Sequence, residues 1–306
     1  MSWEIIIALL AATVQSGTPI LFATLGEIVT EKGGVLNLGV EGMMSVSAFA
    51  AFLVCHYTGS PWLAVVAGGL AGVMTAWIHA FVCVTCLGNQ VVSGLALTIF
   101  GVGLTSYLGT PFIGTSTIGF GSFDFPLLSA IPVLGDIFFK QDALVYLSYL
   151  VPVGLYFFFK RTSLGYAVTA VGEMPAAASA AGLKPLALRY FAVLAGGFII
   201  GLGGAYLSLA YTHLWTTGLS GGRGWIAVAL VIFAFWRPSR AMFGAYLFGG
   251  VMAFQLRLQA MGTNLPSSLL LMLPYALTII VLVLSAWRGR DSEAPAALGV
   301  NIEPEG

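Results

Sequence analysis

His79, Cys83 and Cys86 recur at i, i+4 and i+7, which sets an imidazole and two thiols on one helical face. Three such ligands could hold a transition metal. No fourth ligand or orienting carboxylate stands near them in the sequence, and buried thiols are common without any metal, so no metal site is expected. The sequence contains no GxxxxGK(S/T), GxSxG or HExxH pattern. No catalytic residue is therefore expected, and this chain is not expected to cradle ATP phosphates itself. The three cysteines lie within or beside apolar runs and give no disulfide framework.

The other polar groups collect in breaks between apolar runs. In "EIVTEKGGVLNLGVEGMM" (27–44), Gly33, Gly34, Gly39 and Gly42 interrupt helix propensity, while Asn37 and Glu41 stand four apart. In "TTGLSGGRGW" (216–225), Gly218, Gly221, Gly222 and Gly224 surround Arg223. Each break precedes an apolar helix, one in either half of the chain. Such paired breaks are the sequence pointer to a transport path built around discontinuous helices; the plainer alternative is a surface loop followed by close helix packing. A third interruption, Asn89 and Gln90 with Ser93 beyond, suits either a helix cap or the lining of a polar route. Arg223 suits a turn held by carbonyl bonds, or contact with a docked protein or solute.

The elements that must carry these groups are membrane spans. Of 306 residues 58% are apolar and 8% charged, against roughly 25% charged in ordinary soluble domains. Twelve basic and twelve acidic residues cancel, so nothing points to nucleic acid. Apolar runs near 4–25, 39–57, 62–86, 91–110, 142–159, 187–210, 224–236, 241–260 and 267–287 predict an all-α integral membrane protein of about nine (8–10) spans. The run 224–236 is short and suits a re-entrant element. The first run, with Glu4 and no basic start, does not read as a cleaved signal peptide. Residues 1–290 form one transmembrane domain in this reading, and 291–306 a short polar tail.

Lys160, Arg161, Lys184 and Arg189, then Arg237 and Arg240, then Arg288 and Arg290 fall on one face, which the positive-inside rule assigns to the cytoplasm. The connection 111–141 then lies on the other face. Trp215, Trp225, Trp236 and Trp287 stand near predicted span ends, as an interfacial aromatic belt would place them.

Between two spans on the basic face lies "GEMPAAASAAGLKP" (172–185). Pro175 suits a first helical turn, Gly182 the residue past its end, and Pro185 blocks continuation. A helix of about two turns is marginal alone in water, so docking, on this chain or on a partner, must hold it.

The stretch "AVTAVGEMPAAASAAGLKPLALRYFAVLAGGFIIGLGGAYLSL" resembles the coupling region and following helix of ABC-importer permeases of the branched-chain amino acid, ribose and nucleoside group. "GEIVTEKGGVLNLGVEGMM", "NQVVSGLALTIFGVGLTS" and "SGGRGWIAVALVIFAFWRPSRAMFGAYLFG" are similar to the same group in the same order, across about 20 to 260. The likeness is greatest to the shorter permease of nucleoside uptake systems that use a basic membrane protein type lipoprotein. It implies a coupling helix at 175–182, with Glu173, Ala177, Ala178, Ala181 and Gly182 meeting a cleft of the ATPase. It also places Asn37, Glu41, Asn89, Gln90 and Ser93 by the solute pathway; Gly221, Gly222 and Arg223 read, from their own glycine-rich context, as a structural or gating loop. The implied partners are a second homologous permease, a two-domain ATPase carrying ATP and Mg, and an external solute-binding lipoprotein, in a bacterial inner membrane. The implied solute is a nucleoside; a simple sugar or amino acid is the alternative. A self-contained secondary transporter would need ionisable groups at membrane depth, and few are present.

Overall fold

The computed structural model describes residues 3–262, 266–287 and 294–302; Arg288 and Arg290 and the side chain of Trp287 lie outside the described residues. The long helices are α1 (Trp3–Lys32), α2 (Val40–Thr58), α3 (Pro61–Ala80), α4 (Gln90–Gly109), α6 (Ala143–Arg161), α9 (Pro185–Tyr206), α11 (Pro238–Ala260) and α12 (Ser267–Trp287). Shorter helices are α5 (Leu134–Phe138), α7 (Ser163–Glu173), α8 (Pro175–Ala180) and α10 (Arg223–Ala234). Strands β1 (Phe123–Asp124) and β2 (Lys140–Gln141) form a small antiparallel pair. The nine expected spans coincide with α1 to α4, α6 and α9 to α12. The chain is an all-α multi-span membrane protein.

Helices α1 and α9 are the centre, and α2, α3 and α11 pack around them. The contacts are made close by small residues: a Cβ on Gly72 of α3 would stand 2.2 Å from the carbonyl of Gly197 on α9, and one on Gly26 of α1 2.4 Å from that of Gly196. Backbones that meet this way gain van der Waals contact where lipid offers no hydrophobic drive.

Helix α1 runs on to Lys32 instead of ending near residue 25. Its extra turns carry Glu27 and Glu31, which are buried. They are tolerated because each has donors: Glu27 accepts from Asn37, and Glu31 from the indole N–H of Trp236. This places Trp236 inside the protein. Trp215 is likewise buried, against Phe49 and Phe52. Neither belongs to an interfacial belt, because each fills a core position created by a broken helix.

The ends of α1, α6 and α10 and the starts of α9 and α11 bring Lys32, Lys160, Arg161, Lys184 and Arg237 to one face, called here the basic face. The connection 110–142 lies at the other. It is stitched to the chain after α9: Gly114 N–H donates to the Trp215 carbonyl at 2.9 Å, and Trp215 N–H to that of Thr115 at 3.0 Å. Asp142 caps α6 through the N–H groups of Leu144 and Val145.

Candidate functional site

Residues 33–39 leave the basic face and run back into the protein along α4. Leu36 N–H meets the Gln90 side chain at 2.8 Å, Thr98 donates to the Leu38 carbonyl at 2.8 Å, and Gly101 abuts the backbone of Gly42. From Gln90 to Gly101 is eleven residues of helix, about 16 Å at 1.5 Å per residue. Helix α2 itself starts beside Leu97, about 10 Å along α4 from Gln90, and so begins well inside the protein. The irregular backbone stays buried in protein, which is the condition for its survival at that depth.

The second break mirrors it. After Trp215 at the opposite face, residues 216–222 fold inward and α10 starts beside Glu41. With twelve residues α10 is about 18 Å long, too short to cross, and it ends where Trp236 meets Glu31. The run is not the expected re-entrant element: the chain enters as a loop from the Trp215 face and leaves through α10 at the basic face, so loop and short helix together make one discontinuous span.

The two breaks meet at Glu41. Its Oε1 accepts from the Ser220 hydroxyl at 2.6 Å and from Gly222 N–H at 2.8 Å; Oε2 accepts from Gly224 N–H at 2.7 Å. Ser220 also bonds Ser45, one turn further along α2. A carboxylate thus takes up unpaired N–H donors at the start of α10, where the helix dipole is positive. Gly222 (φ 79°) is required by conformation, and the Tyr275 hydroxyl fills the place of a Cβ there. Arg223 lies over the Tyr211 ring and donates to the carbonyls of Leu219 and Ser220. It holds the turn together and does not bond Glu41.

Beside this clasp, Glu41, Thr98, Ile99, Val102, Gly103, Gly222 and Trp225 line an open groove of about 520 Å³. A second groove of about 530 Å³ lies nearer the basic face, lined by His79, Asn89, Ser93 and Phe100 among apolar neighbours. The polar residues singled out in the sequence therefore separate. Glu41, Asn89 and Ser93 reach a groove. Asn37 and Gln90 are buried and spend their amides internally: Asn37 spans Glu27 and Gly39 N–H, and Gln90 joins Leu36 to Asn301. Asn89 also caps α4 by accepting from Val92 N–H.

His79 bonds Ser93 through Nδ1 at 2.9 Å and the Leu36 carbonyl through Nε2 at 3.0 Å. It ties α3 to both the first break and α4. A π-turn over 81–85 shifts the helix phase, so Cys83 stays buried beside His79 while Cys86 is exposed. Among the described residues no three His, Cys, Asp or Glu side chains converge in a way that would hold a metal.

On the basic face α8 ends in a Schellman turn: Leu183 N–H donates to Ala178 C=O at 3.0 Å and Gly182 N–H to Ser179 C=O at 2.8 Å, with Gly182 at φ 83°. Ala177, Ala181, Gly182 and Glu173 are exposed; Ala178 is buried against the protein's own helices. The five residues of the expected coupling site therefore do not share one surface.

Sequence reasoning missed residues 294–302, which fold onto the basic face and bond the α7–α8 junction, the first break and the start of α4. It also missed Ser220 as a ligand of Glu41. A serine before a Gly-rich turn carries no such signal.

The profile of the family described as "Branched-chain amino acid transport system / permease component" matches residues 9–282. A Haloferax volcanii protein provisionally named as a glucose ABC transporter permease is 46% identical over 261 residues, 84% of this chain and 79% of that one. The nucleoside ABC transporter permease NupC of Lactococcus lactis is 34% identical, covering 93% of each chain. The guanosine ABC transporter permease NupQ of Bacillus subtilis is 31% identical, covering 97% of each. With the discontinuous helices that meet at Glu41, these matches identify the chain: it belongs to the family of branched-chain amino acid transport permease components, as a membrane permease of an ABC transporter.

Proposed function

We propose that this chain forms one half of the solute pathway of an ATP-driven importer, with a second, similar permease facing the groove beside Glu41. The observation that carries this reading is the clasp itself: two helix starts inside the protein, held by one carboxylate, beside an open groove. The exposed apolar side of α4 continues the groove with Ile99, Phe100 and Tyr107, a surface suited to a partner permease.

The basic face is cytoplasmic in this reading, and the membrane is a bacterial inner membrane. A two-domain ATPase, holding ATP and Mg, seats the small exposed residues of α8. Ala177 and Ala181 lie one turn apart, and nothing occupies the space beside Gly182. Bulky side chains there would lift α8 out of a cleft. An external binding lipoprotein delivers the solute to the opposite face. Hydrolysis belongs to the partner chain, and no catalytic residue is assigned here.

The solute is a nucleoside. Trp225 offers a stacking face, and Thr98 with Glu41 offers polar contact in a groove of suitable size. The relatives named for nucleosides extend over nearly the whole chain. A second reading is a simple sugar, favoured by the glucose-named relative at 46% identity; hydroxyl groups and an apolar ring face would use the same lining. The test is uptake into proteoliposomes holding the full transporter, with tritiated uridine, tritiated guanosine and labelled glucose offered separately. ATP-dependent uptake of a nucleoside that excess glucose does not suppress supports the first reading. Glucose uptake alone establishes the second. Uptake of either without ATP or ATPase would remove both.

A further inference from the structure

Residues 294–302 touch, one after another, the end of α7 that leads into α8, the first break and the start of α4. Ala296 N–H donates to the Glu173 carboxylate at 3.2 Å, and Ala297 N–H to the Gly172 carbonyl at 2.9 Å. These two bonds grip the end of α7, immediately before α8. Gly299 N–H then reaches the Gly34 carbonyl at 3.3 Å, inside the first break. Finally Asn301 Nδ2 donates to the Leu87 carbonyl at 2.6 Å and to that of Gly88 at 3.3 Å, while its Oδ1 accepts from Gln90 at 3.0 Å. Gln90 in turn accepts Leu36 N–H.

The segment is folded, with internal turns from Leu298 N–H to Pro295 C=O and from Val300 N–H to Ala297 C=O. Ala297 is buried, and Ala294 and Leu298 pack on the apolar cluster that holds Val168 and Ala192. Arg189, itself 1% exposed, donates to the carbonyls of Val300 at 2.6 Å and Ala297 at 3.3 Å. A guanidinium buried this deeply requires such acceptors. The arrangement therefore fixes the segment against α9 and is not a loose surface contact.

We propose that residues 294–302 are a transmission strap, a positioning segment that carries displacement of α8 to the first break and to the start of α4. The route runs from Glu173 and Gly172 through Ala296 and Ala297 to Gly34, and through Asn301 and Gln90 to Leu36. From there the break leads directly to Glu41 and the groove. The strap complements the covalent path through α9, which reaches the opposite face before it reaches α10. This inference rests on the coupling role given to α8 above.

The experiment measures solute taken up per ATP hydrolysed by the reconstituted transporter, with uridine and glucose as probes. Two variants are compared with the wild type: a chain ending at residue 293, and full-length Asn301→Ala, which removes only the last tie. The expected result is hydrolysis within about twofold of wild type, with uptake per ATP falling at least fivefold in both. Should the shortened chain fail to assemble, Asn301→Ala alone decides. An unchanged ratio in Asn301→Ala overturns the strap, and so does a parallel fall of uptake and hydrolysis. Failure of the underlying reading is seen separately, as wild-type ATPase co-purification and uptake in Ala177→Trp.

Discussion

The Glu41 carboxylate accepts the backbone N–H of Gly224 at 2.7 Å, joining the start of α2 to the start of α10 across 183 positions of sequence. Helix α10 could not begin inside the protein alone, because its first N–H groups would be buried unpaired. One side chain answers the donors of α10 and pins the two breaks to one another.

Replacing Glu41 with Gln keeps the shape and removes the charge. The amide nitrogen then confronts an N–H donor with one of its own, leaving at least one buried donor unpaired at a cost of about 1–3 kcal/mol. Glu41→Gln is expected to lower the melting temperature in detergent and to reduce uptake more than tenfold. A variant with wild-type melting and uptake would show that the clasp is dispensable.

Gly224 tests the same junction through space alone. A Cβ there would sit 2.5 Å from the Glu41 backbone. Gly224→Ala must push α10 away from α2, at a cost of about 1–3 kcal/mol for an overpacked site. Uptake should fall although no polar group has changed. Retained uptake with an unshifted melting curve would mean that the two helix starts are not held together.

The two sides of α8 should respond differently. Ala177→Trp adds bulk on the exposed side, so membrane insertion and melting are expected to match wild type while ATPase co-purification is lost. Ala178→Trp adds it on the buried side and should lower stability first. Co-purification of the ATPase at wild-type yield with Ala177→Trp would contradict a partner cleft at this face.

Trp236→Phe removes the indole donor to Glu31 and leaves a buried carboxylate short of a partner. A loss of about 1–3 kcal/mol is expected, read as a lowered melting temperature with uptake preserved. An unchanged melting curve would show that Glu31 needs no donor from the turn after α10.

Much of the fold was legible in the sequence because spans need apolar length, and the nine runs announced themselves. The breaks were legible because glycine clusters weaken helices where a membrane demands them. What joins the breaks was not. Asn37 and Glu41 share a spacing that suggests a common face, yet Asn37 turns to Glu27 while Glu41 turns to Ser220, 179 positions away. Helix α8 is too short to show a periodicity, so the inward turn of Ala178 left no mark beside its alanine neighbours. Residues 294–302 bind mainly through backbone groups, which composition does not record. Trp215 and Trp236 read as belt residues because sequence gives distance from a span end but not burial within a neighbouring break.

The measurement that bears most directly on the account is aqueous access to the groove beside Glu41. Gly103 lines it, and nothing stands within 4 Å of where its Cβ would be, so Gly103→Cys fits without strain. In a transporter whose three native cysteines are replaced by alanine, a small charged thiol reagent should modify this residue and block uptake. Nucleoside in excess should slow the reaction. A Gly103→Cys transporter that stays unmodified during turnover, or is modified with uptake intact, would contradict a solute path along the Glu41 clasp.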